Sequence, residues 1–389
     1  MQDDLFFIHV PKCQGTTLSG MIAASHTAAA SVTSEQVDLF TILFSPATDI
    51  ARYKYIGGHY PNWFHQAKFP NKHRMIVVRD PLKRFKSIMK HGHRDAAFQG
   101  HLTELWKTDK PLNVFKDKNK LALWLKGASV ASYCASAALP TFASVEAFYE
   151  NTMAQIDQFE HLISDLDFDD YFLNIAFQLN MPPLENVPNI RSSKIYAEEA
   201  IPKFKGLDAA TLKKYIPGEY ELYDRVVAAS SKSKPTRPNY EQWQKKYNQY
   251  WRTKTRSDYI CFTPDMAFKG YGWYPRRNLS LESEGIHFKF GLQFDQSGAF
   301  LDLPLDTNMK TIRGMIYCVD PIIKEGFKVM INGVTAAVTW PISSIGSVHS
   351  FSVQLSRELL GDLYTRVELS YEDATTVTAD VFLLELLAH

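Results

Sequence analysis

The hydrophobic pattern of the chain changes partway along its length, and this change limits the possible folds more than any single motif does. Before residue 228, short apolar runs such as residues 5–10 and 75–78 alternate with helical stretches. Such alternation is typical of a parallel sheet covered by helices. After residue 258, apolar residues recur at strand period in six short segments, which favours a β-sandwich. The expected fold is therefore α/β with a C-terminal β-sandwich domain.

A polar segment with two prolines separates the two patterns. Residues 228–239 read Ala-Ala-Ser-Ser-Lys-Ser-Lys-Pro-Thr-Arg-Pro-Asn, which is typical of a linker. The stretch that follows, residues 240–255, is basic and aromatic and has helical spacing. We therefore expect three parts: an α/β domain over residues 1–228, a linker with a basic aromatic helix over residues 229–257, and a β-sandwich accessory domain over residues 258–389.

Composition excludes several classes of protein. With 45% hydrophobic and 22% charged residues, the chain is unlike disordered or coiled-coil sequences. No apolar run reaches the ~20 residues that a membrane-spanning helix needs, and the acidic N-terminus is unlike a secretory signal. The four cysteines lie far apart, in neither a zinc motif nor a disulfide framework. A cytoplasmic, reducing location without a membrane span is expected.

The charge is unevenly distributed along the chain. Residues 1–257 contain 33 Lys and Arg against 26 Asp and Glu, a net charge of +7, whereas residues 258–389 contain 10 against 16, a net charge of −6. An anionic ligand is therefore expected on the first part. Nucleic acid is not expected, because no recognition motif accompanies the positive charge.

The first candidate site is a strand that runs into a Gly/Thr loop and then a helix. Residues 6–18 read Phe-Phe-Ile-His-Val-Pro-Lys-Cys-Gln-Gly-Thr-Thr-Leu. Backbone N–H groups at such a turn, together with the positive end of the helix, form a cavity for a phosphate-like anion. Lys12 adds a full charge, and Thr16 and Thr17 add hydroxyl donors. This is not the nucleotide-triphosphate loop, because the lysine precedes the glycine. The alternative is an ordinary connection with a surface lysine.

The second candidate site lies in residues 74–91, which read Arg-Met-Ile-Val-Val-Arg-Asp-Pro-Leu-Lys-Arg-Phe-Lys-Ser-Ile-Met-Lys-His. Arg79 ends a predicted strand, and Ser87 lies two turns into the next helix. Both side chains can converge on one anion at the carboxyl edge of the sheet. The alternative is that Arg79 pairs with Asp80 or another neighbour and that Ser87 faces solvent.

Together the two segments resemble the two signatures of the sulfotransferases that use 3′-phosphoadenosine 5′-phosphosulfate (PAPS). The first resembles their 5′-phosphosulfate loop and the second their 3′-phosphate motif, Arg-Asp-Pro-x-x-Arg-x-x-Ser; the spacing of eight between Arg79 and Ser87 matches. Within the family, the sequence is most similar to carbohydrate sulfotransferases of the heparan sulfate 2-O type. Four further segments carry this resemblance, which covers about residues 4–228: residues 55–60, 159–162, 188–194 and 220–224.

The resemblance implies a P-loop-like parallel sheet flanked by helices, the sulfotransferase fold. It also implies transfer of a sulfuryl group from PAPS to an acceptor hydroxyl, on a saccharide or polysaccharide, by in-line displacement without a metal. His59 would be the base and Lys12 the stabiliser of the leaving group, with Glu160 as the alternative base. The residues that the resemblance assigns to cofactor binding are Lys12, Cys13, Gln14, Gly15, Thr16, Thr17, Arg79, Ser87, Arg191, Ser193 and Lys194.

Three alternatives stay open. The chain could be a non-catalytic glycan- or nucleotide-binding protein with a sulfotransferase-like fold. The basic helix over residues 240–255 could bind an anionic polymer or sugar rings, or pack its aromatic side chains between the two domains. Cys13, which departs from the family pattern together with Gln14, could be an oxidant-sensitive thiol beside Lys12 or simply a small loop residue.

Overall fold

A computed structural model of the chain describes residues 4–92, 113–116, 121, 124–125, 128–188, 207–279, 290–294, 298–320, 323–340, 346–371 and 380–389. Its first part is built around a five-stranded sheet in the order β2-β3-β1-β4-β5. All neighbouring strands of this sheet are parallel. The strands are β1 (Leu5–Ile8), β2 (Ser31–Thr33), β3 (Tyr55–Gly58), β4 (His73–Val78) and β5 (His161–Ser164).

Helices cover both faces of the sheet, so β1 and β4 are apolar along nearly their whole length, as parallel strands buried on both faces must be. The described helices of the chain are α1 (Gly15–Ala24), α2 (Leu39–Phe44), α3 (Ala47–Ile50), α4 (Asn62–Lys68), α5 (Pro81–Gly92), α6 (Asn113–Lys116), α7 (Val130–Cys134), α8 (Val145–Ile156), α9 (Phe168–Gln178), α10 (Ala209–Lys213), α11 (Pro217–Lys232), α12 (Tyr240–Arg252) and α13 (Ile323–Gly326). None of these helices is both long enough and apolar enough to cross a membrane.

The α/β expectation for the first part is confirmed at this level, with small shifts in the boundaries. The helix after the Gly/Thr loop, α1, begins at Gly15 and ends at Ala24. Pro217 takes the first helical position of α11, where the fixed φ of proline suits a helix start. That helix continues to Lys232, so the extended segment before α12 begins only at residue 233.

The C-terminal part consists of two antiparallel sheets. One has the order β13-β12-β16-β10-β7, and the other has the order β14-β15-β11-β17-β9-β8, with β6 also paired to β17. The sheets pack face to face: the ring centroids of Phe327 and Phe351 lie 5.1 Å apart, and those of Phe294 and Tyr371 lie 6.0 Å apart. The strands are β6 (Ile260–Phe262), β7 (Lys269–Tyr271), β8 (Arg277–Asn278), β9 (Phe290–Phe294), β10 (Ala299–Leu303), β11 (Thr311–Tyr317), β12 (Phe327–Ile331), β13 (Val334–Ala336), β14 (Val338–Thr339), β15 (Val348–Gln354), β16 (Thr365–Tyr371) and β17 (Val381–Ala388).

The basic aromatic helix α12 packs its aromatic side chains against both parts of the chain. Trp243, Tyr247 and Trp251, spaced four apart on one face, are buried. The Trp243 Nε1–H donates to the carbonyl oxygen of Met181 at 2.8 Å, and the Tyr247 hydroxyl donates to Asp302 at 2.6 Å. The packing interpretation of this helix is therefore confirmed for these three side chains.

Candidate functional site

The candidate site lies at the carboxyl edge of the parallel sheet. Strands β2 and β3 lie on one side of β1, whereas β4 and β5 lie on the other side. The strand order therefore reverses between β1 and β4. Open α/β sheets bind ligands in the crevice outside such a point. Lys12 follows β1 and Arg79 follows β4, and the Arg79 guanidinium donates to the Lys12 carbonyl oxygen at 3.4 Å. The two sequence motifs therefore meet at one place.

The loop after β1 has a backbone suited to an anion. Lys12 and Gln14 both have positive φ, 65° and 60°, and backbone that alternates in this way turns successive N–H groups towards one point. A Cβ on Gly15 would lie 2.1 Å from the His9 ring, so any other residue at this position would have to displace that ring. Within the described part of the chain, the Gln14 side chain caps no N–H group of α1. The first turn of α1 contains no acidic residue. The positive end of α1 therefore faces this loop uncompensated by charge.

Cys13 serves the packing of the loop. Its side chain is only 1% exposed, and its N–H donates to the Val10 carbonyl oxygen at 3.3 Å. Burial raises the pKa of the Cys13 thiol to about 11. The thiol is therefore protonated at neutral pH, and the interpretation of Cys13 as an oxidant-sensitive thiolate is wrong; the alternative, a small buried loop residue, is correct.

The two threonines of the loop have different surroundings. Thr16 is half-buried and lines a small recess with His9 and Ser34. Thr17 is buried and lines a separate recess with Tyr271 of the C-terminal part. Of the two predicted hydroxyl donors, Thr16 is thus the one that lies beside the histidine at the end of β1.

His59 immediately follows β3, and contacts with Ser34 and His9 help to hold it. Its N–H donates to the Ser34 Oγ at 3.1 Å, its ring stacks on that of His9 with 4.5 Å between centroids, and its Nδ1 lies 2.7 Å from the His9 carbonyl oxygen. Because a carbonyl oxygen only accepts, this contact places a proton on Nδ1, so the lone pair of a neutral ring would be on Nε2. The side chain is exposed at the sheet edge. His59 therefore has the tautomer and the accessibility that a general base needs.

Sequence reasoning did not find His9. The feature that points to His9 is its position. His9 follows β1 and His59 follows β3, and these neighbouring strands pair in parallel with Ile8 opposite Gly58. Histidines at the carboxyl ends of two adjacent parallel strands lie side by side. The pairing of the two strands, however, is a property of the sheet order.

Two residues of the motif around Arg79 have structural partners. Asp80 accepts from the Lys83 N–H at 2.8 Å and so braces its own helix. Arg84 is buried and pairs with Glu219 at 2.8 Å, which makes it a packing residue between α5 and α11. Ser87 lies partly buried on α5, eight residues after Arg79.

Asp165 is a second residue that sequence reasoning missed. It directly follows β5, and its carboxylate accepts from the Tyr223 hydroxyl at 2.7 Å and from the Asp80 N–H at 3.3 Å. Lys83 Nζ lies 3.6 Å from the other carboxylate oxygen. Asp165 thus ties the ends of β4 and β5 to α11. Among the described residues, no group of three His, Cys, Asp or Glu side chains is placed to hold a metal ion.

Glu160 lies at the wrong edge of the sheet to be the alternative base. It precedes β5, accepts from the Arg74 N–H at 2.7 Å, and lies 3.6 Å from the Arg74 Nε. Arg74 lies near the start of β4, so this pair is at the amino edge, and the whole of β5 separates Glu160 from the carboxyl edge where His59 lies. The assignment of Glu160 as alternative base is therefore wrong. Arg191, Ser193 and Lys194 lie outside the described residues.

Comparisons with known proteins do not assign a family. No family model matches the chain, and no curated protein matches it. The catalytic unit of a GH87 α-1,3-glucanase from Streptomyces thermodiastaticus strain HF3-3 aligns over 34% of this chain and 25% of its own, with 8% identity and a TM-score of 0.22. The tandem CBM51 modules of a family 98 glycoside hydrolase from Streptococcus pneumoniae SP3-BS71 align over 26% of this chain and 32% of their own, with 13% identity and a TM-score of 0.18.

A two-domain esterase active on acetylated mannans, co-crystallized with mannopentaose, aligns over 99% of this chain and 89% of its own, with 10% identity and a TM-score of 0.23. This chain thus spans about a quarter and about a third of the lengths of the first two structures. TM-scores this low do not establish a shared fold.

Proposed function

We propose that the chain is a sulfotransferase that moves a sulfuryl group from PAPS to a hydroxyl of a saccharide. The observation that carries the proposal is the meeting of the two motifs at one sheet edge, where the Arg79 guanidinium reaches the Lys12 carbonyl oxygen at 3.4 Å. His59 is exposed at the same edge, at the end of the neighbouring strand. An anion cradle, an arginine and a correctly protonated base at one edge are the groups that this transfer needs.

The residues present fit the nucleotide in two places. The turn from Lys12 to Gly15 and the start of α1 present backbone donors and a lysine, which suit a 5′-phosphosulfate. The Cys13 side chain contributes to the shape of this turn but supplies no hydrogen-bond donor to the nucleotide. Arg79 and Ser87 suit the 3′-phosphate, since guanidinium binds phosphate through two parallel hydrogen bonds. When bound, PAPS supplies the sulfuryl group and an anionic leaving group.

The mechanism assigns one task to each side chain. His59 Nε2 takes the proton of the acceptor hydroxyl, while the Nδ1–H bond to the His9 carbonyl oxygen holds the ring in place. The hydroxyl oxygen then forms its bond to sulfur as the bond from sulfur to the bridging phosphate oxygen breaks. The Lys12 ammonium stabilises the charge that develops on that bridging oxygen. As in phosphoryl transfer, the protein contributes mainly position and charge.

Titration with adenosine 3′,5′-bisphosphate (PAP), the product nucleotide, tests the proposal. At about a hundredfold excess over Kd, PAP should stabilise the wild-type chain by ~2.7 kcal/mol. The Lys12→Ala variant should lose this stabilisation, whereas Arg225→Ala should retain it, because Arg225 forms an exposed ion pair with Asp157 away from the loop. Absence of any thermal shift at millimolar PAP would overturn the proposal.

A transfer assay separates the enzyme from the non-catalytic alternative. With radiolabelled PAPS and a panel of saccharides, label should appear in a saccharide and disappear in His59→Ala. Binding of PAP without transfer to any saccharide, small hydroxyl compound or tyrosine peptide would support a nucleotide-binding protein with a sulfotransferase-like fold instead.

A further inference from the structure

A cavity of about 850 Å³ lies between the parallel-sheet part and the C-terminal sheets. One wall comes from the segment around β2 and from Arg52 and Tyr53, and the other comes from residues 263–266, Asn278 and Glu385. This volume is within the ~300 to 1,000 Å³ of small-molecule sites. No local sequence pattern indicates this cavity, because residues more than two hundred positions apart form its two walls.

The two walls are tied together beneath the cavity. Arg276 is 1% exposed and donates to the carbonyl oxygens of Ala23 at 2.6 Å and His26 at 2.7 Å in the first part, and of Met266 at 2.6 Å in the second. The Ala28 N–H also donates to the Asp265 carbonyl oxygen at 2.8 Å. Because the walls are already joined by these bonds, the cavity is pre-formed.

The side chains that line the cavity suit a ligand rich in hydroxyl groups. The Glu385 carboxylate is partly buried and lines the cavity, where its oxygens can accept hydrogen bonds from hydroxyls. Asn278 uses one amide hydrogen on the Gln36 carbonyl oxygen at 2.7 Å, and its amide oxygen is a further acceptor. The Tyr53 ring is partly buried and carries the Arg52 guanidinium on one face, 5.2 Å from the ring centroid. Its other face is the apolar surface against which a pyranose ring would pack.

The charge of the lining disfavours an anion. Of the described residues that line the cavity, Glu385 and Asp265 are acidic, and the one cation, Arg52, donates to the Tyr53 hydroxyl at 3.3 Å. A uronate or sulfated sugar would meet a net negative wall, whereas a neutral sugar meets only acceptors and donors.

The cavity adjoins the segment that holds His59. Its lining residue Gln36 lies two positions after Ser34, whose Oγ accepts from the His59 N–H at 3.1 Å. Glu35, between them, pairs with Arg277 at 3.3 Å, and Arg277 directly precedes the lining residue Asn278. The seam between β8 and the turn after β2 therefore lies between the cavity and the candidate base.

We propose that this cavity binds a neutral saccharide and thereby holds the acceptor chain. The inference that a saccharide binds here depends on the cavity alone. The inference that this saccharide is the acceptor rests on the proposed sulfotransferase function.

Calorimetry on the full chain tests the proposal. The neutral ligands are hexasaccharides of glucose, mannose and galactose, and hexauronates are the anionic comparison. At least one neutral hexasaccharide should bind more tightly than the hexauronates. Ala29→Trp, which fills the cavity from an exposed lining position, should weaken that binding at least tenfold, and the matched Ala154→Trp on the exposed face of α8 should not. Glu385→Gln keeps the volume and should weaken binding several-fold, whereas Glu358→Gln should not.

The outcomes separate this proposal from the proposed function. No binding of any neutral hexasaccharide at millimolar concentration, tighter binding of hexauronates, or unchanged binding by Ala29→Trp would each overturn the neutral-saccharide site. Saccharide binding that depends on Ala29, in a chain that binds no PAP, would support the site and overturn only the sulfotransferase. Transfer activity with an acceptor KM that Ala29→Trp leaves unchanged would overturn only the acceptor role of the cavity.

Discussion

The imidazole of His59 lies against that of His9 at 4.5 Å and 23°, and its Nδ1 lies 2.7 Å from the His9 carbonyl oxygen. His9 begins the loop that carries Lys12, so the anion loop itself orients the candidate base. The His9 atom that favours this tautomer of His59 belongs to the backbone. Replacing the His9 side chain would therefore remove the contact only if the loop changed its conformation.

Replacement of His59 should separate catalysis from nucleotide binding. We expect His59→Ala to lower kcat by ~10² to 10⁴-fold, the usual contribution of a general base, with the Kd for PAP nearly unchanged. His73→Ala is the matched control, because His73 is exposed at the start of β4, at the amino edge. Steady-state kinetics and calorimetry measure both quantities. A His59→Ala enzyme with wild-type kcat would show that another group takes the proton.

Replacement of Arg79 should weaken recognition of the 3′-phosphate. A hydrogen bond to a charged group contributes ~1.5 to 3 kcal/mol, so Arg79→Ala should weaken PAP binding by roughly 10 to 150-fold. Ser87→Ala should cost less, since its hydroxyl is neutral. Calorimetry with PAP and with adenosine 5′-phosphate provides the comparison. An equal loss for both nucleotides would mean that Arg79 does not bind the 3′-phosphate.

The buried ion pair of Arg84 and Glu219 should matter for stability far more than an exposed pair. Glu219 also accepts from the Val130 N–H at 3.0 Å and the Ala131 N–H at 3.3 Å, so Arg84→Met leaves a buried carboxylate without its counter-charge. We expect a loss of ~3 to 5 kcal/mol in the free energy of unfolding. Arg225→Ala, which breaks an exposed pair, should cost ~1 kcal/mol or less. Urea unfolding of both variants gives the comparison, and similar losses would contradict the role of the buried pair.

Cys13 should be unreactive in the folded chain. Because burial raises the pKa of its thiol to about 11, almost no thiolate forms at pH 8, and the side chain is also shielded from reagents. Iodoacetamide at pH 8 should therefore label Cys13 only after denaturation, while the partly exposed Cys261 is labelled first. Peptide mass spectrometry follows both sites over time. Labelling of Cys13 ahead of Cys261 would contradict the burial of the loop thiol.

The sequence by itself determined the α/β character of the first part and the strand-rich character of the C-terminal part. The apolar runs of β1 and β4, the proline at the start of α11 and the strand-period segments after residue 258 are local patterns, and each predicted an element that the structure contains. These predictions succeed because hydrophobic periodicity and the φ restriction of proline act over a few residues. For Trp243, Tyr247 and Trp251, the sequence left open whether they bind a ligand or pack between the two parts, and their burial in the structure decided for packing.

Only the tertiary structure decided which distant residues meet. His9 and His59, Arg84 and Glu219, and Arg276 with Ala23 are separated in the chain by 50, 135 and 253 positions. Their contacts follow from strand order and from the docking of the C-terminal sheets, and no local pattern carries that information. Glu160 shows the consequence: its residue type suited a base, but β5 begins after it, so it lies at the amino edge of the sheet. A side chain's chemistry is a local property, whereas its position depends on the long-range contacts that the whole fold establishes.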